Sequence, residues 1–507
     1  MKSAHIDRWR LKITQSPWVK RKILLQSVCL PEGICCTFHG MGGKNQLRLF
    51  DLTMIVITLV IGMGIFRTPV NVAAASPDAP TFYLAWALGG MVAFCGALTY
   101  AEIGSRLPVR GGYYKIFSIA YHPAVAFAVN CIILVSNAAS LAMVALVGGE
   151  YLTGILMPLP GGDVQGPNLF GSLPVEQAQT GIAICAVLLF YLINLMGLKM
   201  SASTQNVLGL IKIGLILLLI SPLFFAESAA DTLPAPVSES MPLSGYLKAL
   251  GTGLVAVSFT YGGYQQSINF GGEVLRPARN IPRGIFIGIG VIILLYLSIN
   301  MAYVKVIGFS QLGQSRNIAA VLAGKIFGPG ADKALSLFFF LGVLAYVNVL
   351  LMSNPRVMFA MSEDGILPRV FQKTHARTGA LTVSLSVFTG ICLLIIFWAR
   401  AFDKILSFSI FLDCIGMVLS AATVFILRKR SGGLQEKEHY RMRFFPLLPL
   451  IFIAAYLFIA LSITLSYRDN DYAAMTGLVM MGIFGILYFV IRKVGAKSND
   501  SFPPRLR

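Results

Sequence analysis

Apolar runs of about twenty residues follow one another along most of the chain, separated by shorter polar segments. An α-helix needs roughly 20 mostly apolar residues to cross the hydrocarbon core of a bilayer. The pattern therefore predicts twelve membrane-spanning helices, numbered here as spans 1 to 12. Their expected bounds are 50–74, 82–100, 124–147, 179–197, 206–226, 249–270, 284–306, 334–353, 381–399, 404–427, 446–466 and 474–492.

Glycines interrupt span 1 and span 6 near their middles. The two interrupting sequences are Gly62-Met63-Gly64 and Tyr261-Gly262-Gly263-Tyr264. Backbone polar groups left unpaired in hydrocarbon are costly, so a break of this kind is expected only where the backbone lines a cavity. Interrupted helices at matching places in two halves of a chain indicate the binding site of a secondary transporter. The alternative is that Gly62 and Gly64 form a small-residue seam for helix packing.

Composition agrees with a polytopic all-α membrane protein. The chain is 56% hydrophobic and 12% charged, whereas soluble domains carry about 25% charged residues. The net charge of +19 could suggest nucleic acid, but the basic residues follow the loops. With the N-terminus inside, the inner segments after residue 40 hold 24 Lys and Arg, several times the number in the outer loops. This bias predicts cytoplasmic termini in a plasma (inner) membrane, with the lipid bilayer and not nucleic acid as surroundings.

The expected organisation is two five-helix repeats with flanking segments. The segments are 1–48 (cytoplasmic), 49–226 (first repeat), 249–427 (second repeat), 446–492 (helices 11 and 12) and 493–507 (cytoplasmic tail). Residues 1–40 differ in character from the rest, and we expect native translation to begin at Met41. The cysteines and His39 of that segment match no usual zinc spacing, and no ATP-binding GxxxxGK[ST] motif occurs. No metal and no cofactor is therefore expected, and the pattern carries no signal for an oligomeric state.

Four short motifs occur in an order that resembles one transporter superfamily. They are IGMGIF at 61–66, YAEIG at 100–104, FTYGG at 259–263 and DGILP at 364–368. The chain is identified by them as similar to the amino acid–polyamine–organocation (APC) superfamily, near its L-type and cationic amino acid transporter branches. The resemblance implies a leucine-transporter-like fold, a 5+5 inverted repeat with helices 1 and 6 broken, plus two C-terminal helices. It also implies a permease that moves amino acids by alternating access, as a symporter or antiporter, and not an enzyme.

A zwitterionic amino acid needs N–H donors for its carboxylate and carbonyl acceptors for its ammonium. The half-helix that follows Gly62 supplies free amides at its positive end, so we expect Met63, Gly64 and Ile65 to hold the carboxylate. Carbonyls near Val60 and in 259–262 would hold the ammonium. The resemblance places further residues at the binding site: Gly62, Phe259 as a cover and gate, Tyr261, Gly262, Gly263 and Tyr264. Phe259 could alternatively be an ordinary packing residue.

Gly62 and Gly262 are expected to tolerate no side chain. A Cβ at either position would block the approach of the substrate to the backbone and would disfavour a non-helical conformation.

Lys212 lies about two turns into the apolar span 5. A charge at that depth is expensive and indicates function; the alternative is a side chain that reaches back to the interface. The resemblance places Lys212 against helices 1 and 8, where sodium-coupled relatives bind a cation. It would act either as a fixed charge in an exchanger or as a coupling residue that exchanges protons.

Arg67 and Asp413 are charges within spans 1 and 10. Transporters of the implied fold pair such residues as an outer gate, so we expect Arg67 and Asp413 to meet when the outer side closes. Alternatively, Arg67 faces the outer vestibule alone and Asp413 makes a local polar contact. Because this assigns Asp413 to the gate, neutral amino acids are the favoured substrates, with cationic amino acids or polyamines second. A non-transporting amino-acid sensor on the same fold is the alternative of another class.

Overall fold

The computed structural model of the 507-residue chain describes residues 28–29, 35–36, 46–62, 64–156, 173–226, 242–314, 318–328, 331–397, 403–430, 439–465 and 473–499. Its helices are α1 Leu49–Val60, α2 Gly64–Ala75, α3 Ala79–Arg106, α4 Gly112–Ala120, α5 Pro123–Leu156, α6 Val175–Leu195, α7 Leu198–Ile220, α8 Leu243–Tyr261, α9 Pro277–Ile307, α10 Phe309–Leu312, α11 Ile318–Phe327, α12 Ala331–Glu363, α13 Thr382–Phe397, α14 Asp403–Arg430, α15 Leu447–Leu465 and α16 Ala473–Asn499. Short 3₁₀ helices cover Ser221–Leu223, Tyr264–Asn269, Gly271–Glu273 and Arg369–Gln372. The two strands, β1 Val28–Cys29 and β2 Cys35–Cys36, form a small antiparallel pair before the first helix.

The all-α polytopic class is confirmed. In the part of the chain that the structure describes, eight helices are long and apolar enough to cross a membrane, and the bent pair α1 and α2 makes a ninth. The other predicted spans also coincide with helices, but those helices are shorter or less apolar, such as α13 with its 16 residues. The bounds of the two repeats stay a prediction.

Helices five spans apart pack against each other. Spans 2 and 7 (α3 and α9) are in extensive contact, as are spans 3 and 8 (α5 and α12). The second half of span 1, α2, likewise packs against α8 of span 6. Contacts between equivalent members of two halves are what an inverted repeat produces, and they bring the two breaks together inside the bundle.

Local backbone geometry explains why span 6 breaks where it does. Helix α8 ends at Tyr261, and two residues later Gly263 has φ +110°, a left-handed conformation that favours glycine. A Cβ on Gly263 would lie 2.5 Å from the Leu59 carbonyl oxygen. Glycine therefore allows both the turn in span 6 and its close approach to the backbone of span 1.

Buried ion pairs close one end of the bundle, which we call the basal end: the end where α1 begins and α3 and α14 finish. There Leu47 pairs with Val274 as an isolated parallel bridge, with Leu47 N–H donating to the Glu273 carbonyl at 2.8 Å. Arg356 and Arg110 both pair with the Glu273 carboxylate, at 2.7 and 3.2 Å. In the predicted orientation the basal end is cytoplasmic.

Candidate functional site

A cavity of about 140 Å³ lies where the two broken spans meet. Sites for drug-sized ligands occupy roughly 300–1,000 Å³, so this cavity suits a much smaller solute. Its walls come from spans 1, 3, 6, 8, 10 and 11. The lining residues used below are Val60, Gly62, Gly64, Ser136, Asn137, Ser140, Phe259, Gly262, Gly263, Gln266, Tyr346, Asp413 and Tyr456.

Most of the backbone positions predicted for the site do line this cavity. Val60, Gly62 and Gly64 contribute from span 1, and Phe259, Gly262 and Gly263 contribute from span 6. Phe259 is 47% exposed although it lies mid-span. Its side chain therefore faces the cavity, and packing within the bundle does not account for its position. Ile65 is fully buried beside the lining residues, and Met63 lies outside the described residues.

The side chains of Tyr261 and Tyr264 are directed away from the cavity, contrary to their expected place in the binding site. Tyr261 packs against Trp86 and Tyr296, with ring centroids 6.1 and 5.0 Å away. Tyr264 packs against Tyr100 at 5.9 Å. Both rings are almost fully buried, because the turn at Gly262 and Gly263 points them into neighbouring spans. Tyr261 can therefore contribute to the site only through its backbone.

The glycines of the breaks serve different purposes. A Cβ on Gly64 would lie 2.9 Å from the Thr260 hydroxyl, so close helix packing requires glycine at that position. At Gly62 a Cβ would have only the Tyr346 ring near it, at 3.9 Å. Gly262 has φ −70° and ψ 167°, which any residue adopts. The expectation that Gly262 needs glycine for its backbone conformation is therefore wrong, and Gly263 is the residue with that need.

Tyr296 of α9 links the two breaks, and the sequence alone did not identify it. Its hydroxyl lies 3.1 Å from the Val60 carbonyl oxygen and 3.4 Å from that of Thr260. The Val60 carbonyl also accepts a bond of 2.7 Å from Gly62 N–H. A single tyrosine in an apolar helix is usually a packing residue, so nothing in its sequence context distinguishes Tyr296.

Lys212 reaches the end of the first half-helix. Its Nζ donates to the Ile61 carbonyl oxygen at 2.5 Å, and its Cε packs against Gly342 of α12. The residue is only 2% exposed. The ammonium therefore lies inside the bundle, at the break of span 1, and this position favours a functional role over an interfacial anchor. The C-terminal end of α1 is the negative end of its helix dipole, which suits a cation.

A buried chain of amides and hydroxyls supports the region around Lys212. Gln205, two turns earlier on α7, donates to the Thr58 hydroxyl at 2.5 Å. Asn348 of α12 donates to Gln205 at 2.6 Å, and Asn194 of α6 donates to Asn348 at 2.9 Å. These contacts join four spans, so the position of Lys212 is held by the whole basal half of the bundle.

Three polar residues of α5 form another wall: Ser136, Asn137 and Ser140. Ser140 and Tyr346 hydroxyls are 2.9 Å apart. Asn137 accepts from Gln266 Nε2 at 3.0 Å and donates to Asn354 at 2.7 Å. Polar residues at i, i+1 and i+4 of an apolar span lie on one helix face, a signal that could have identified this wall from the sequence.

Arg67 and Asp413 are apart in this structure. Arg67 Nη2 lies 3.6 Å from Glu150 Oε2, and both side chains are more than half exposed, at 55% and 62%. Asp413 lines the cavity, and among the described residues it has no ion-pair partner. The gate is expected for the outer-closed form, so the Arg67–Asp413 pair stays a prediction, with Glu150 as a competing partner for Arg67.

Two broken spans that meet at a small cavity are the arrangement expected at the binding site of a secondary transporter. Comparison with known families is decisive for the class: the chain belongs to the amino acid permease family, whose model matches residues 47–491. The predicted APC resemblance is thereby confirmed, and amino acid transport is the function of this integral membrane protein.

Similar proteins cover nearly the full chain. The serine/threonine exchanger SteT of Bacillus subtilis (strain 168) is 28% identical over 89% of this chain and 98% of its own length. The branched-chain amino acid permease BcaP of the same organism is 26% identical, covering 90% and 95%. The b(0,+)-type amino acid transporter 1 of Mus musculus is 24% identical, covering 97% and 93%.

Proposed function

We propose that the chain carries one amino acid at a time across the plasma membrane by alternating access, with both termini in the cytoplasm. The observation that carries the proposal is that four glycines of two broken spans line one small cavity: Gly62, Gly64, Gly262 and Gly263. Similar proteins named as a serine/threonine exchanger and a branched-chain amino acid permease support an amino acid as the substrate.

The substrate carboxylate would bind at the start of α2. The first four N–H groups of a helix have no partner within it, and this end carries the positive side of the helix dipole. Gly64 and Ile65 supply such groups beside the cavity, and the sequence assigns the same role to Met63. A side chain at position 64 would collide with Thr260. Because glycine has none, no side chain of residue 64 covers these N–H groups.

The substrate ammonium would bind at the ends of the opposing half-helices. Helix α1 ends at Val60 and helix α8 ends at Tyr261, so their last carbonyls lack helical partners. Tyr296 contacts one carbonyl from each break and would fix the position of the two helix ends relative to each other. Phe259 faces the cavity and would cover the bound amino acid as the gate to the site.

Lys212 would supply the positive charge that a bound cation supplies in ion-driven transporters. Its bond to the Ile61 carbonyl places that charge at the end of α1, which must shift when the site changes sides. Two mechanisms fit: obligatory exchange with a permanent charge, and symport in which Lys212 exchanges a proton. The name of the serine/threonine exchanger favours exchange.

Flux through reconstituted protein tests the transport proposal. Purified protein in proteoliposomes should take up labelled amino acids when the lumen holds unlabelled ones, and Gly62→Val should abolish uptake because its side chain would occupy the cavity. Gly214→Val is the matched control, since a Cβ on Gly214 meets nothing within 4 Å and it faces outward from α7. Binding without flux would instead identify an amino-acid sensor.

Variants of Lys212 separate the two mechanisms. Lys212→Ala should abolish or uncouple uptake, and Lys212→Arg should not restore it because arginine keeps its proton and has a bulkier head group. A wild-type protein that accumulates substrate in empty vesicles when an inward proton gradient is imposed is a symporter. One that needs luminal substrate at every pH is an exchanger. Unchanged rate and pH dependence in Lys212→Ala would refute the coupling role.

A further inference from the structure

Asp413 is an acidic residue that lines the cavity in the middle of the bundle, and it has no ion-pair partner among the described residues. It lies on α14 and is the one charged side chain among the described residues that line the cavity. The arginine expected to neutralise it, Arg67, is paired with Glu150. Intramembrane carboxylates normally pair or face a pathway for a charged substrate. A substrate group that enters the cavity is therefore the expected partner of Asp413.

A second acceptor without a donor lies on the same cavity. Gln266 is 8% exposed, and its Oε1 is buried without a hydrogen-bond partner. Its orientation is set by the opposite atom, because Nε2 donates to Asn137 at 3.0 Å. An unpaired buried acceptor costs about 1–3 kcal/mol. Because Oε1 has almost no accessible surface, it gains a donor from a substrate only when the Gln266 side chain turns towards the cavity.

The nearest buried cation does not supply that donor. Lys212 is engaged by the Ile61 carbonyl and does not line the cavity. The hydroxyls of Tyr346 and Tyr456 do, but Tyr346 is already bonded to Ser140 at 2.9 Å. Among the described residues, therefore, no cationic side chain lines the cavity, and Asp413 is its one carboxyl group.

We propose that Asp413 and Gln266 form a subsite for an ammonium group on the substrate side chain, so that the transported amino acid is cationic, of the lysine or ornithine type. This rests on the proposed function and names its substrate class. The zwitterionic part of such a substrate is neutral and occupies the two breaks. Its side-chain ammonium then balances the Asp413 carboxylate and gives Gln266 Oε1 a donor.

This assignment reverses the order of substrates expected from the sequence. The sequence favours neutral amino acids only on the condition that Asp413 belongs to the outer gate. With Arg67 beside Glu150 in this structure, Asp413 is available to the substrate in this form. An extended ammonium side chain needs a contact apart from the breaks, and spans 3, 10 and 11 contribute lining residues to the same cavity.

Uptake of L-lysine and L-leucine into proteoliposomes tests the subsite. The wild-type protein should prefer L-lysine, and Asp413→Asn should raise the KM for L-lysine by about 30-fold or more, as expected for loss of one partner of a buried charge pair. The KM for L-leucine should rise much less than that for L-lysine, because the leucine side chain carries no ammonium group. Glu176→Gln, an acid-to-amide change on the exposed start of α6, is the control and should leave both values unchanged.

Three outcomes would overturn the subsite. An equal loss of L-lysine and L-leucine uptake in Asp413→Asn would indicate the gate. A loss of proton-driven L-leucine uptake would indicate that Asp413 carries a coupling proton. L-leucine uptake by a wild-type protein that rejects L-lysine would refute the substrate class while leaving the proposed function intact, whereas no uptake of any amino acid would refute the proposed function itself.

A binding measurement keeps the test independent of transport. In detergent, L-lysine should raise the melting temperature of the wild-type protein and of Asp413→Glu, which keeps the charge, but not that of Asp413→Asn. Gln266→Leu should weaken the L-lysine shift and leave an L-leucine shift unchanged. Equal shifts by L-lysine in all variants would overturn the proposal.

Discussion

Two carboxylates inside the bundle, Glu102 at the basal end and Asp413 in the cavity, differ in how many donors surround them. At the basal end, Glu102 is fully buried and receives a bidentate pair from Arg428 at 2.7 and 2.6 Å. It also accepts from Arg106 and from Met442 N–H, both at 2.9 Å. In the cavity, Asp413 has no such partner among the described residues. The Glu102 carboxylate therefore accepts several hydrogen bonds, whereas the Asp413 carboxylate remains available to a ligand.

This difference indicates that Glu102 has a structural role and that Asp413 is available for binding. Glu102 joins α3 to α14 and to the segment before α15, and Arg428 also stacks on the Phe445 ring at 3.8 Å. A buried ion pair adds little net stability compared with an apolar packing, but breaking one leaves an uncompensated charge. Removing the Asp413 carboxylate orphans no ion-pair partner in the part of the chain that the structure describes, so the two carboxylates should respond very differently to the same acid-to-amide change.

The largest effect is therefore expected at Glu102. Glu102→Gln should reduce the free energy of unfolding by about 3–5 kcal/mol because Arg428 and Arg106 lose their counter-charge. Asp413→Asn should leave stability unchanged or slightly increased. Thermal unfolding in detergent compares the two, and a similar loss in both variants would show that Asp413 has a structural partner.

A smaller effect is expected at the glycines of span 6. Gly263→Ala places a side chain at φ +110° and against the Leu59 carbonyl, so we expect a loss of about 1–3 kcal/mol from backbone strain. Gly262→Ala, one residue away with an ordinary φ, should fold normally and impair only substrate binding. Expression and melting temperature distinguish them; equal stability of both variants would contradict this assignment.

The Tyr296 hydroxyl, which joins the two breaks, should contribute about 1 kcal/mol to the free energy of unfolding. Tyr296→Phe removes the bond to the Val60 carbonyl and should weaken both stability and substrate affinity. Tyr303→Phe on the same helix is a matched control, because the Tyr303 hydroxyl is buried and has no hydrogen-bond partner among the described residues. If Tyr303→Phe is the more harmful change in thermal unfolding and uptake, Tyr296 does not couple the breaks.

The smallest stability effect is expected for the exposed Arg67–Glu150 pair. Glu150→Gln should cost at most about 1 kcal/mol, less at high salt. Releasing Arg67 should nevertheless favour the predicted gate. The charge swap Arg67→Asp/Asp413→Arg tests that gate by uptake of L-leucine: more activity than either single variant supports pairing, and no gain over the single variants contradicts it.

Features that depend on local sequence were predictable, and features that depend on partners were not. The two breaks follow from glycines within apolar spans, and the depth of Lys212 follows from its place in span 5. The different roles of Gly262 and Gly263 could not be predicted, since the difference lies in which backbone approaches each one. The partner of Arg67 was also missed, because Glu150 lies far away along the chain and close only in the folded bundle.

By itself, the sequence determined the membrane class, the broken spans and the residues from which a backbone site could be built. These follow from hydropathy and from the backbone freedom of glycine, which act over a few residues. Only the tertiary structure decided that Tyr296 joins the breaks, that Lys212 occupies the end of α1, and that Asp413 faces the cavity. Each of these depends on how distant helices pack, because a buried charge or hydroxyl acquires its role from the groups that other spans bring to it.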